Sequence, residues 1–75
     1  MQDSKGYIWL GTNDGLDRYN GYTFKKYTYE KGKKNSLVNG YILDIKEDDE
    51  GNIWVATAIG ISKIYNDGET VQNYT

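Results

Sequence analysis

The chain repeats itself. Residues 3–18 read DSKGYIWLGTNDGLDR and residues 48–63 read DDEGNIWVATAIGISK, an offset of 45 positions from Asp3 to Asp48. Six of the sixteen aligned positions are identical: Asp3/Asp48, Gly6/Gly51, Ile8/Ile53, Trp9/Trp54, Thr12/Thr57 and Gly15/Gly60. Conservative pairs add Leu10/Val55, Gly11/Ala56, Leu16/Ile61 and Arg18/Lys63. After a one-residue and then a second insertion the likeness resumes. Tyr19-Asn20-Gly21 faces Tyr65-Asn66-Asp67-Gly68, and the run from Thr23 to Thr28 faces the run from Thr70 to Thr75. Self-similarity at a fixed period means that one supersecondary unit recurs and that neighbouring units bury each other.

The unit is made of strands. Asp3-Ser4-Lys5-Gly6 and Asp48-Asp49-Glu50-Gly51 are Asp-x-x-Gly turns, in which Asp bonds its own backbone and Gly supplies positive φ. Asn20-Gly21 and Asp67-Gly68 are hairpin signals. Between them lie seven strand-like runs: Tyr7–Thr12, Leu16–Tyr19, Tyr22–Tyr29, Tyr41–Glu47, Ile53–Ala58, Ile61–Tyr65 and Thr70–Tyr74. Their tight turns make them antiparallel. Tyr, Trp and β-branched residues suit pleated strands, and Asn39-Gly40 argues against a helix over 37–47. A period of about 40–45 residues with four short strands is the spacing of a propeller blade. The fold class is therefore all-β: antiparallel β-propeller blades, one complete four-stranded blade over 35–75 and a three-stranded partial blade over 1–34. A closed propeller needs about four to eight blades, so the chain reads as a fragment of a larger one.

The runs Tyr41-Ile42-Leu43-Asp44-Ile45 and Ile53-Trp54-Val55 place apolar groups on both strand faces, as expected of a sheet held between neighbours. Trp9, Trp54, Ile8, Ile53, Gly15 and Gly60 are the expected structural core of the repeat. Tyr41 and Tyr65 are expected to pack, and Tyr27 and Tyr29 to be half exposed. Gly11 and Ala56, two residues beyond the tryptophans on the same strand face, leave room for a neighbouring sheet.

Composition excludes much chemistry. The 75 residues contain no Cys, no His and no Pro. No disulfide, no Cys/His zinc site and no Ser-His or Cys-His nucleophile pair can be built. Asp48-Asp49-Glu50 lacks the alternating acids of a calcium loop, so no metal or cofactor is expected. Residues 1–37 carry seven Lys/Arg against four acids (+3), and residues 38–75 carry two against seven (−5). The cluster Lys25, Lys26, Lys31, Lys33 and Lys34 reads as a solvated strand and loop rather than a nucleic-acid stripe, given the acidic whole. No apolar run approaches the length of a membrane span, so no direct membrane contact is expected.

The pattern Asp-x-x-Gly-x-Ile-Trp-(Leu/Val)-(Gly/Ala)-Thr-x-x-Gly-(Leu/Ile), followed by Arg or Lys and a Tyr-Asn turn, resembles the two-component regulator propeller repeat. Asn35-Ser36-Leu37 resembles that family's lead into a new blade. Ala56 in place of glycine, and Ala58-Ile59 in place of Asn13-Asp14, depart from the pattern in the second copy. The resemblance implies a sensor propeller in the periplasmic or extracytoplasmic part of a membrane-anchored parent. It also implies hybrid histidine kinases of gut Bacteroides-like bacteria that respond to polysaccharide breakdown products. The residues themselves offer no catalytic constellation, so the fragment is not expected to be an enzyme, although the parent is expected to be a histidine kinase by the resemblance. In the usual blade order the 30–36, 13–15 and 58–60 loops share one face, so Asn13, Asp14, Asn35 and Ser36 are the ligand-face candidates. Expected partners are neighbouring blades of a longer chain, an oligosaccharide, and further copies of the fragment through bare faces or edges.

Overall fold

The computed structural model describes residues 1–75 and contains seven strands with no helix: β1 (Ile8–Thr12), β2 (Gly15–Tyr19), β3 (Phe24–Tyr27), β4 (Ile42–Glu47), β5 (Ile53–Thr57), β6 (Ile61–Ile64) and β7 (Val71–Tyr74). They form two antiparallel sheets, three-stranded in the order β1-β2-β3 and four-stranded in the order β4-β5-β6-β7.

Each sheet grows from its Asp turn, and the two turns are built alike. Asp48 Oδ1 accepts the backbone N–H of Glu50 and Asn52, both at 2.9 Å. Asp3 Oδ1 accepts those of Lys5 and Tyr7 at 2.9 and 3.0 Å. The second carboxylate oxygen reaches further, to the indole N–H of the tryptophan six residues on, at 2.7 Å from Trp9 to Asp3 and 2.8 Å from Trp54 to Asp48. A buried or half-buried indole needs such an acceptor. Gly15 and Gly60 serve a shared purpose too. A Cβ at either would come within 2.7 Å of the Tyr27 carbonyl oxygen or 2.6 Å of that of Tyr74, so only glycine lets the last strand of each sheet close in.

The strand pairing sorts side chains onto faces. In the first sheet Trp9 lies opposite Arg18, Gly11 opposite Leu16, and Leu16 opposite Tyr27, so these share one face. In the second, Ile53 lies opposite Ile64 and Val55 opposite Ser62. These two faces meet. Trp9, Leu16, Tyr27, Ile53, Val55 and Ile64, with Leu37 from the connection, form one buried cluster. The sheets approach most closely at Gly11, where a Cβ would lie 2.6 Å from Cγ2 of Ile42. Arg18 lies over the Tyr7 ring, 4.3 Å from its centroid, and its Nη1 would be 2.6 Å from a Cβ on Gly68. The Tyr27 hydroxyl donates to the Gly68 carbonyl at 2.8 Å. No buried side-chain nitrogen or oxygen is left without a partner.

The outer faces are bare, and burial differs from expectation at four residues. Ile8, expected in the core, is 39% exposed, because it points away from the second sheet together with Leu10 and Phe24. Trp54, the counterpart of the fully buried Trp9, is only half-buried because nothing covers its sheet on that side. Tyr41 is 53% exposed rather than packed, since it precedes β4 at the rim. Tyr27 is buried rather than half exposed, because the second sheet closes over the last strand of the first. Ile53 and Gly15 are buried, and Gly60 is half-buried. Along the free edge of β1 only Met1 and Gln2 pair, with the Trp9 N–H donating to the Met1 carbonyl at 2.7 Å. The repeat offset sets these two residues against Lys46-Glu47, the end of β4.

Candidate functional site

Where β3 leaves the first sheet, the connection over 28–36 folds back along the rim and encloses a crevice of about 330 Å³ against the second sheet. Its walls carry Lys25, Lys26, Lys33 and Lys34 with Glu30 and Glu69. Four cations against two carboxylates leave a local charge of +2 in a chain whose total is −2. The carboxylates do not silence the lysines. Lys25 Nζ lies 2.7 Å from Glu69 and Lys33 Nζ 3.4 Å from Glu30, while Lys26 turns to Asp17 at 3.4 Å and Lys34 has no carboxylate partner.

Local chemistry holds this shape. Asn35 has φ 60°, a left-handed conformation that its short amide tolerates, and its Oδ1 accepts the Val71 N–H at 3.0 Å. The Ser36 hydroxyl donates to the Glu30 carbonyl at 3.3 Å, and the Ser36 carbonyl accepts from Asn73 Nδ2 at 2.9 Å. In the β6–β7 turn that carries Glu69, Asp67 accepts from the Thr70 hydroxyl at 2.6 Å and from the backbone N–H groups of Glu69 and Thr70. Those bonds, the hydroxyl first, lower the Asp67 carboxyl to about 2 and fix the turn that presents Glu69. Tyr27 forms the floor, and burial pushes its phenol up to about 12 against the opposing pull of Arg18.

Of the four ligand-face candidates, Asn35 and Ser36 line the crevice and Asn13 and Asp14 do not. The Asn35 side-chain oxygen and the Ser36 carbonyl tie the connection onto β7, and the Ser36 hydroxyl bonds within the connection. Asn13 and Asp14 sit on the exposed β1–β2 turn at another part of the rim, held by the bond from the Gly15 N–H to the Gly40 carbonyl at 2.8 Å. Their side chains make no hydrogen bonds and stay free to meet another molecule. The lysines themselves were visible in the sequence as a charge cluster. Their convergence with Glu69, 44 residues along the chain from Lys25, was not. The crevice holds no nucleophile–base pair, and no group of three or more His, Cys, Asp or Glu side chains converges to hold a metal ion anywhere in the chain. What it can do is bind: ammonium groups, a carboxylate and amide edges around a wet crevice suit an anionic or hydroxyl-rich molecule.

Comparison with known proteins agrees with the architecture. Residues 36–58 match the family model described as "Two component regulator propeller". Over 26 residues the chain is 54% identical to Histidine kinase P4 of Formosa agariphila, a match that covers 35% of this chain and 2% of that protein. The segment from Ser36 through β4 and β5 to Ala58 thus resembles a two-component regulator propeller repeat. The all-β sheets around it are propeller blades, one whole and one partial.

Proposed function

We propose that these blades belong to the extracytoplasmic ligand-sensing propeller of a membrane-anchored two-component regulator, with breakdown products of polysaccharides as the signal. The observation that carries this reading is the lysine crevice, which lies between two blades of a repeat matched to that regulator family. A ligand seated there touches Lys33 and Lys34 on the connection and Glu69 on the next blade. It therefore interacts differently with different angles between the blades, which is what a signal transmitted through packed sheets requires. The identity with part of a histidine kinase supports a signalling output supplied by other domains. Two positive charges in excess favour oligosaccharides bearing uronate or sulfate groups over neutral ones.

Titration calorimetry of the chain with neutral, uronic-acid and sulfated oligosaccharides tests this. Heat for an acidic glycan that disappears in Lys33→Glu/Lys34→Glu is the expected result. No heat for any glycan overturns the reading. A second reading, a protein-interaction propeller with no small ligand, is favoured by the bare apolar faces that flank both sheets.

A further inference from the structure

At four steps of the chain an Asn or Asp directly precedes glycine: Asp14-Gly15, Asn20-Gly21, Asn39-Gly40 and Asp67-Gly68. At such a step the glycine nitrogen can attack the side-chain carbonyl carbon of the residue before it, because glycine has no Cβ to stand in the way. The fold decides which nitrogens are free to do so. The Gly15 N–H donates to the Gly40 carbonyl at 2.8 Å and the Gly68 N–H to the Tyr65 carbonyl at 2.9 Å, so both are committed. The N–H groups of Gly21 and Gly40 meet no acceptor in the chain. Of these two, Gly40 packs against the β1–β2 turn, its Cβ position 3.6 Å from the Gly15 nitrogen, whereas nothing lies within 4 Å of that of Gly21. We propose that Asn20 is a site of spontaneous deamidation, the first residue of this fold to be converted, and that its turn accepts the aspartyl product.

The reaction needs only water. The Gly21 nitrogen bonds to Cγ of Asn20, the Cγ–Nδ2 bond breaks, and ammonia leaves with the amide proton, closing a succinimide ring. Water then opens the ring at either carbonyl, which leaves an aspartyl or an isoaspartyl residue. The turn assists the first step. Asn20 Oδ1 accepts the backbone N–H groups of Tyr22 and Thr23, both at 2.9 Å, so the oxygen that gains negative charge during attack already faces two donors. The second copy of the repeat shows that an aspartate fits this place. Asp67 Oδ1 accepts the N–H groups two and three residues on, those of Glu69 and Thr70, at 2.8 Å, and its other oxygen takes the Thr70 hydroxyl at 2.6 Å. Thr23 stands where Thr70 does, three residues beyond the acceptor. Asp67 itself resists ring closure twice over: its glycine nitrogen is committed, and its carboxyl, held at about 2, is ionised at neutral pH and a poor electrophile. Turn length makes the difference. The carbonyl three residues before Gly68 is that of Tyr65, just past the end of β6, but the one three residues before Gly21 is that of Arg18, inside β2.

The whole chain, aged under native conditions in mildly alkaline buffer and then digested with trypsin, tests this. Peptide 19–25 carries Asn20, 35–46 carries Asn39, and 6–18 and 64–75 carry Asp14 and Asp67. By mass spectrometry 19–25 should gain the mass of an amide-to-acid exchange and convert fully while 35–46 is still mostly unmodified. The isoaspartyl content of 6–18 and 64–75 should stay at its starting level. In urea, where the packing around Gly40 is gone, 35–46 should convert alongside 19–25. Asn20→Asp, which supplies the aspartyl product directly, should keep the thermal midpoint of the wild type or raise it. A native chain in which 19–25 stays unmodified, or in which 35–46 converts as fast, overturns the site. A lower midpoint for Asn20→Asp overturns the claim that the turn accepts the product.

Discussion

Asp48 accepts the indole N–H of Trp54 at 2.8 Å, and this bond ties the β4–β5 turn to the ring that β5 carries. It heads the causes that hold the Asp48 carboxyl at about 2, below its ordinary 3.8, with the Asn52 and Glu50 backbone N–H groups adding to it. A depressed pKa means that the ionised form is the one the fold favours. Its contribution is complete above the ordinary value and is lost as pH falls through about 2. Urea midpoints should therefore fall between about pH 4 and pH 2, with Asp67 acting in the same window. Asp48→Asn keeps an oxygen acceptor for the indole but cannot titrate, so its stability should decline less steeply over that range. Parallel pH profiles for the two proteins would rule out the linkage.

Gly11 is where an added carbon would press one sheet against the other. A side chain there would enter space held by Cγ2 and Cβ of Ile42, at 2.6 and 3.0 Å. Gly11→Val should lower stability by about 1–3 kcal/mol, the ordinary cost of overpacking. Ile42→Ala in that background should return part of it, a coupling of about 0.5–3 kcal/mol between residues in contact. Ala56→Val in the monomer should cost far less, since its face is open. Equal losses at positions 11 and 56 would show that the strand, rather than the sheet-to-sheet contact, sets the requirement.

The periodic part of this fold was legible because its causes are local. Asp-x-x-Gly, Asn20-Gly21 and Asp67-Gly68 mark turns by their backbone preferences, and the repeat locates Trp9 and Trp54 on equivalent strands. Burial was not legible in the same way, because it depends on what stands beyond the strand. Ile8 and Ile53 are the same residue in the same motif, yet one is 39% exposed and the other 3%, for the sole reason that a sheet covers Ile53. Tyr27 and Tyr74 differ likewise. At the candidate site, Asn35 and Ser36 were found by their loop position, whereas the pairing of Lys25 with Glu69 crosses from one blade to the next and has no local signature.

Tyr27 tests the seam between the blades from the alkaline side. Its phenol, pushed up to about 12 by burial, is favoured in the neutral form, so its contribution is complete below the ordinary 10 and is lost as pH rises through about 12. Base-induced unfolding should accordingly set in within that window. Tyr27→Phe should flatten it while costing about 0.5–1.5 kcal/mol at neutral pH for the lost bond to the Gly68 carbonyl. Tyr74→Phe, whose hydroxyl has no partner within the chain, should cost the isolated monomer almost nothing. Ultraviolet difference spectra should show one tyrosine titrating last in the wild type and absent from Tyr27→Phe.

The ion pair of Lys25 with Glu69 separates a structural role from a binding role for the crevice. At 2.7 Å it is short, but its side chains are 34% and 74% exposed, so water and salt screen it and its worth is at most about 1 kcal/mol. Glu69→Gln should therefore leave thermal stability nearly unchanged. The same substitution frees the Lys25 ammonium and raises the crevice charge from +2 to +3. Affinity for an acidic oligosaccharide should then increase, and the dependence of that affinity on salt should steepen, because one more cation faces the ligand. Calorimetry at two ionic strengths reads both effects. Unchanged affinity beside unchanged stability would place the bound ligand elsewhere, with the free side chains of Asn13 and Asp14 the next surface to substitute.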